Sequence, residues 1–127
     1  MPLLRRSEKC ASGASDRQLV KDGEVLGPLE IATSRTQRTR GLLGRRGISG
    51  AMLLPKTRSV HTFGMRFGLD VAFLDDGNTV LRVISLPPNR VSGFCMHAHA
   101  ALEAEAGALQ EWGIGVGDSL EISEECV

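Results

Sequence analysis

The stretch from Val60 to Leu86, VHTFGMRFGLDVAFLDDGNTVLRVISL, decides the fold. Its first part alternates with a period of two. His61, Phe63, Met65, Phe67, Leu69, Val71 and Phe73 fall on one face of an extended chain, and Thr62, Arg66 and Asp70 on the other. Gly64 and Gly68 mark bends or bulges able to break that register. Asp75-Asp76-Gly77-Asn78 is a strong turn sequence, and Thr79–Leu86 reads as a second strand, so the stretch predicts a β-hairpin.

Toward the N-terminus, Leu19–Lys21 and Val25–Ala32 flank Asp22-Gly23, a dipeptide suited to a positive-φ turn, which predicts a second hairpin. Thr33 or Ser34 is placed to cap a short helix running through Leu43, with Gly44 as its stop. Arg35, Arg38 and Arg40 dominate that helix, and only Leu42 and Leu43 give it apolar surface. Ala51–Pro55 reads as another strand. Toward the C-terminus, Pro87-Pro88 stops the hairpin and a loop follows to Ala98. Leu102, Ala104 and Ala106 then alternate with Glu103 and Glu105 as in a strand, although Ala, Leu and Glu individually favour helix. Gly107–Trp112 predicts a short helix ended by Gly113, and Ser119–Ser123 a last strand.

The sum is an α+β fold: a mostly antiparallel, strongly curved sheet or small partly open β-barrel with two short helices. Residues 1–16 read as a flexible leader, 17–124 as one compact domain and 125–127 as a tail. Phe63, Phe67, Val71, Phe73, Val83, Leu102 and Ile122 are the expected core.

The chain has 127 residues, enough for one modest core. It contains no apolar run near the roughly 18 residues of a membrane span, so no membrane partner is expected. Met1 to Lys9 is charged, unlike a secretory signal. Three widely spaced cysteines, Cys10, Cys95 and Cys126, without a C-x-x-C pair fit reduced thiols in a cytoplasm. The zero net charge conceals an asymmetry. Residues 1–66 hold thirteen Lys and Arg against five Asp and Glu, whereas residues 91–127 hold seven acids and no Lys or Arg. Either the two halves neutralise each other across the fold, or the Arg-rich middle third forms an anion-binding face. One Trp and no Tyr leave few stacking platforms, which argues against nucleic acid.

Two groups of residues carry candidate chemistry. Arg40, Arg66 and Asp70, with Met65 beside them, are expected to form a concave site for a small anionic ligand, the arginines receiving the anion and Asp70 orienting them. The structural alternative is an ion pair closing one end of the sheet. Cys95-x-His97-x-His99 offers three donors able to ligate Zn or Cu if the segment is extended, with His61 as a fourth, or a Cys–His nucleophile pair. Histidines in an ordinary loop is the competing account. The phosphate-loop, dinucleotide, H-E-x-x-H and G-x-S-x-G motifs are all missing from the sequence. The leading expectation is therefore a non-catalytic module that binds a small anionic ligand or a protein partner, needs no cofactor, and exists as a monomer or small homo-oligomer. A metal protein or small enzyme using Cys95, His97 and His99 is the alternative.

Four strings occur in order: Arg40-Gly41-Leu42-Leu43-Gly44-Arg45; Met52-Leu53-Leu54-Pro55; Phe63 through Asp75; and Trp112-Gly113-Ile114-Gly115-Val116-Gly117-Asp118. Together they resemble the bacterial and archaeal family called domain of unknown function 192, over about residues 17–123. The resemblance implies that Leu102–Ala106 is a strand; it brings a fold and no reaction. Ala51 stands where that family usually has Gly, Gly68 where it usually has Pro, and Phe63-Gly64 precede Met65 where an aromatic residue usually adjoins it.

Overall fold

Asp22 and Gly23 both take positive φ, 54° and 79°, the geometry that folds one strand directly back on the next. In the computed structural model, which describes residues 17–34, 37 and 41–123, they join β1 (Arg17–Lys21) to β2 (Glu24–Ile31). The later strands are β3 (Ala51–Pro55), β4 (Leu69–Leu74), β5 (Val80–Leu86), β6 (Ala100–Glu105) and β7 (Glu121–Ser123), with the single-turn helix α1 (Ala108–Glu111) between β6 and β7. They form one seven-stranded sheet in the order β5-β4-β6-β3-β2-β1-β7. The β2–β3 pair is parallel and the other pairs are antiparallel.

The expected β4–β5 hairpin forms. Asp75 Oδ1 accepts hydrogen bonds from the Gly77 and Thr79 amides, each at 2.9 Å, which fixes the turn. Residues 100–105 are strand rather than helix because β6 lies between β3 and β4, and pairing on both edges overrides local helix preference.

The fold is mostly β, and the sheet is mixed and open. Thr79 bridges Ser119, and the Val80 amide bonds to Asp118 O at 2.8 Å. These contacts join the ends of the strand order at one place, but no continuous ladder makes the expected barrel. Of the two expected helices, α1 is present, one turn long. The other falls largely outside the described residues. At its start the Gln37 amide donates to Ser34 Oγ at 3.0 Å, and Gln37 Oε1 accepts from the Ser34 amide at 3.2 Å. That reciprocal arrangement is the mark of a helix N-terminus, with Ser34 as the cap.

The alternation read from Val60 to Leu74 holds only from Leu69. Gly64 takes φ 77°, and the Met65 amide bonds to Thr62 O at 3.1 Å in a tight turn. Thr62 turns inward and is fully buried, while Phe63 turns outward and is 52% exposed. Thr62 holds the loop down. Its hydroxyl donates to Pro87 O at 2.6 Å and accepts from the Arg90 amide at 2.9 Å. Of the expected core, Val71, Phe73 and Leu102 are buried, whereas Phe67, Val83 and Ile122 are half-buried.

All six residues of β4 are buried, because the sheet is covered on both faces. Leu53, Ala72, Leu74, Leu102 and Ala104 point into one core, closed by Leu109, Ile114 and Leu120. Met52, Leu54, Leu69, Val71, Phe73 and Ala101 point into the other, closed by Leu42, Val60, Met65, Cys95 and Ala98. The first cover includes α1; the second, among the described residues, is made of turns and loops. Among the described residues no helix is long and apolar enough to cross a membrane.

Candidate functional site

Strand alternation on β6 sends Ala101, Glu103 and Glu105 to the face covered by loops. Glu103 sits there between Met52 of β3 and Val71 of β4, with only 3% of its surface exposed. Its Oε1 is buried and, among the described residues, has no hydrogen-bond partner. The carboxyl forms part of the wall of a cavity of about 170 Å³. Leu54 and Leu69 contribute from the sheet, Gly41, Leu42 and Leu43 from one covering loop, and Thr57, Ser59, Val60, His61, Phe63 and Met65 from the other. Removed from water and given no donor in return, Glu103 holds its proton far above the ordinary 4.5, up to about 7.

Gly41 fits closely against this acid. It takes φ 53°, and a Cβ built there would lie 3.2 Å from Glu103 Oε1. A larger residue would crowd the carboxyl and strain the backbone. At the cavity wall the His61 and Phe63 rings stack with centroids 5.1 Å apart, and both side chains are exposed.

The residues expected to bind an anion are distributed differently from the sequence reading. Met65 is in the cavity wall. Asp70 is on the opposite side of the sheet, because it follows Leu69 on β4 and alternation reverses its direction. Instead of orienting arginines, Asp70 accepts from the Ser85 hydroxyl at 2.6 Å and from the Gly107 and Leu109 amides at 2.9 and 3.2 Å. It thereby caps α1 from a distant strand. Arg66 is exposed, and Arg40 lies outside the described residues. Arg45 lines a neighbouring groove but is held by Glu30 in a two-pronged pair at 2.9 and 2.8 Å. Their hydrogen bonds lower the Glu30 pKa and raise that of Arg45.

The Cys95, His97 and His99 donors do not converge. The Ala98 amide bonds back to Cys95 O at 3.1 Å, so the segment turns where the donor pattern needs it extended. Cys95 is buried in the core, and both histidines are exposed. Among the described residues no three His, Cys, Asp or Glu side chains are placed to share a metal ion.

Sequence reasoning missed Glu103 because the alternation of β6 by itself does not say whether its second face meets water. The signal was available in the neighbouring strands: Met52-Leu53-Leu54 and Val71-Ala72-Phe73-Leu74 are continuous apolar runs. Such runs indicate a sheet covered on both sides, and a glutamate paired between them has no wet face to occupy.

Comparison with known proteins supplies relatives in fold. A family model, DUF192, described as "Uncharacterized ACR", matches residues 17–122. The chain is similar to the crystal structure of a protein of unknown function from Novosphingobium aromaticivorans DSM 12444, at 18% identity and TM-score 0.69, covering 83% of this chain and 82% of that one. It is also similar to a protein from Sinorhizobium meliloti 1021 named as a candidate transcription regulator, at 24% identity and TM-score 0.71, covering 86% of this chain and 93% of that one. No curated protein matches the chain. At these identities the two structures speak for the fold alone.

Proposed function

Since the chain belongs to the DUF192 family, whose description specifies neither ligand nor reaction, we propose a function from the site: a non-catalytic module that binds a small ligand in the cavity beside Glu103. The observation that carries this reading is the unpartnered Oε1 of Glu103 in the wall of a space lined by both apolar and polar groups. A fold covers such an atom only at a cost of several kcal/mol unless something supplies the missing bond. A cavity near 150 Å³ accepts a benzene-sized body, and this one is slightly larger.

The anionic ligand expected from the Arg-rich middle third fits this reading as a group at the cavity mouth. Arg40 and Arg66 each adjoin a cavity residue in sequence, Gly41 and Met65. A reducing, cytoplasmic setting is part of the proposal, supported by the free thiol of Cys95 within the core.

Thermal denaturation with benzyl alcohol and with benzoate tests the reading. Both should raise the Tm of the wild type through preferential binding to the folded state. Val60→Phe, which fills the cavity, should abolish both effects, and Arg66→Ala should weaken the benzoate effect alone. If neither compound stabilises the wild type, or if Val60→Phe responds as the wild type does, the cavity is not a binding site.

The raised affinity of Glu103 for its proton favours a second reading, general acid–base catalysis on a bound group. It requires a turnover that titrates near neutrality and is lost in Glu103→Gln while binding persists.

A further inference from the structure

The missing partner of Glu103 has a definable chemistry. We propose that the cavity is a site for a small organic cation, an ammonium or amidinium on an apolar body about the size of a benzene ring, with Glu103 as its counter-ion. This rests on the reading of the cavity as a ligand site and puts a cation beside Glu103 in place of the anionic ligand expected from the arginines.

No donor of the cavity wall reaches Oε1 among the described residues. The Thr57 hydroxyl donates instead to Pro55 O at 3.1 Å, and His61 Nδ1 accepts from the Phe63 amide at 3.3 Å, so its own donor is Nε2–H. Of the nearby described cations, Arg45 is bound to Glu30 and Arg58 Nε donates to Ala98 O at 3.2 Å. None of them neutralises Glu103, although the middle third is rich in arginine. Leu42, Leu54, Val60, Met65 and Leu69 give the space an apolar side against which a hydrocarbon body can rest, beside the polar Thr57, Ser59 and His61. The exposed ring of Phe63 at the wall adds an aromatic face to which a cation is attracted. A neutral donor would satisfy Oε1 as well, but a cation adds an opposite charge that further favours the ionised carboxylate, which burial disfavours.

That difference makes binding proton-linked. Burial pushes the Glu103 pKa up to about 7, so the unliganded carboxyl holds its proton into the neutral range. An ammonium engages the ionised form, so the carboxyl proton passes to solvent as the ion pair forms. The groups facing Glu103 leave few other sources for this proton. β3 and β4 present Met52, Leu54, Leu69, Val71 and Phe73; Glu105 on its own strand is exposed; His61 shares the cavity wall.

The experiment is calorimetric titration of the whole chain with benzylamine, using benzyl alcohol as the neutral probe of equal shape. At pH 8 benzylamine should bind at least about tenfold more tightly than benzyl alcohol. Its affinity should fall about tenfold from pH 8 to pH 6, as the ionised fraction falls, while that of benzyl alcohol stays constant. Titration at pH 6.5 in buffers of different ionisation heat should register net proton release with benzylamine, both in wild type and in His61→Gln. Glu103→Gln should remove the preference for the amine. If that variant does not fold, proton release by the wild type decides alone. Equal affinities without proton release, or a preference that survives Glu103→Gln, would overturn the cation while leaving the cavity as a ligand site. Binding of neither probe would overturn both.

Discussion

Asp70 and Glu103 lie one register step apart on the paired strands β4 and β6. Asp70 is opposite Ala104, and Glu103 is opposite Val71. The two carboxyls point to opposite faces, and both are almost wholly buried. Asp70 receives one hydroxyl and two backbone amides, whereas Glu103 Oε1 receives nothing. The contrast separates two uses of a buried acid. On the helix-covered side the charge organises the chain around it, and on the loop-covered side the chain leaves room beside it.

Breaking the satisfied side should cost the most. Asp70→Ala strands the Gly107 and Leu109 amides and the Ser85 hydroxyl, and we expect a loss of about 4 kcal/mol in urea denaturation. A loss below about 1 kcal/mol would mean that α1 holds its place without the cap.

Glu103→Gln should act with the opposite sign. The wild-type carboxyl keeps its proton to about pH 7 when folded, against an ordinary 4.5. Its stabilising contribution is therefore complete below pH 4.5 and is lost as the pH rises through 7. That loss amounts to roughly 3 kcal/mol, at about 1.36 kcal/mol per unit. The variant should show a flatter stability profile between pH 4 and 8 and exceed the wild type at pH 8. Parallel profiles for the two proteins would place Glu103 in contact with water.

Thr62→Val probes how firmly the loop cover is tied down. Loss of the Thr62 hydroxyl bonds to Pro87 and Arg90 should cost about 2 kcal/mol and quicken amide exchange across residues 60–66. Phe63→Ala should change stability by less than about 0.5 kcal/mol, because the ring already stands in solvent. A larger effect would show that the ring stack with His61 supports the cavity wall.

Much of the sheet was legible. Asp22-Gly23 and Asp75–Asn78 announced their hairpins because turn chemistry is local. The alternation of residues 100–105 and the ordered family strings both pointed to a strand there. The extended reading of residues 60–68 failed where Gly64 and a buried Thr62 replaced alternation with tertiary hydrogen bonds. The site was much less legible. Met65 lines the cavity, whereas Asp70 faces the other side of the sheet, as alternation had it, and so does not share a concave site with Met65. Glu103 was missed because its burial depends on strands β3 and β4, distant in sequence.

The pairing of β1 with β7 has a consequence for how the protein is made. Gln18, at the beginning of the described chain, takes Ser123, at its end, as a partner. A nascent chain therefore leaves the outer edge of β1 open until residues 121–123 have been made. During that interval the edge is free to pair with another unfinished copy. The two central pairings of β6 also wait for residues far along the chain. Such an order of assembly favours folding in milliseconds to seconds rather than microseconds, and makes late truncation more damaging to solubility than the brevity of β7 suggests.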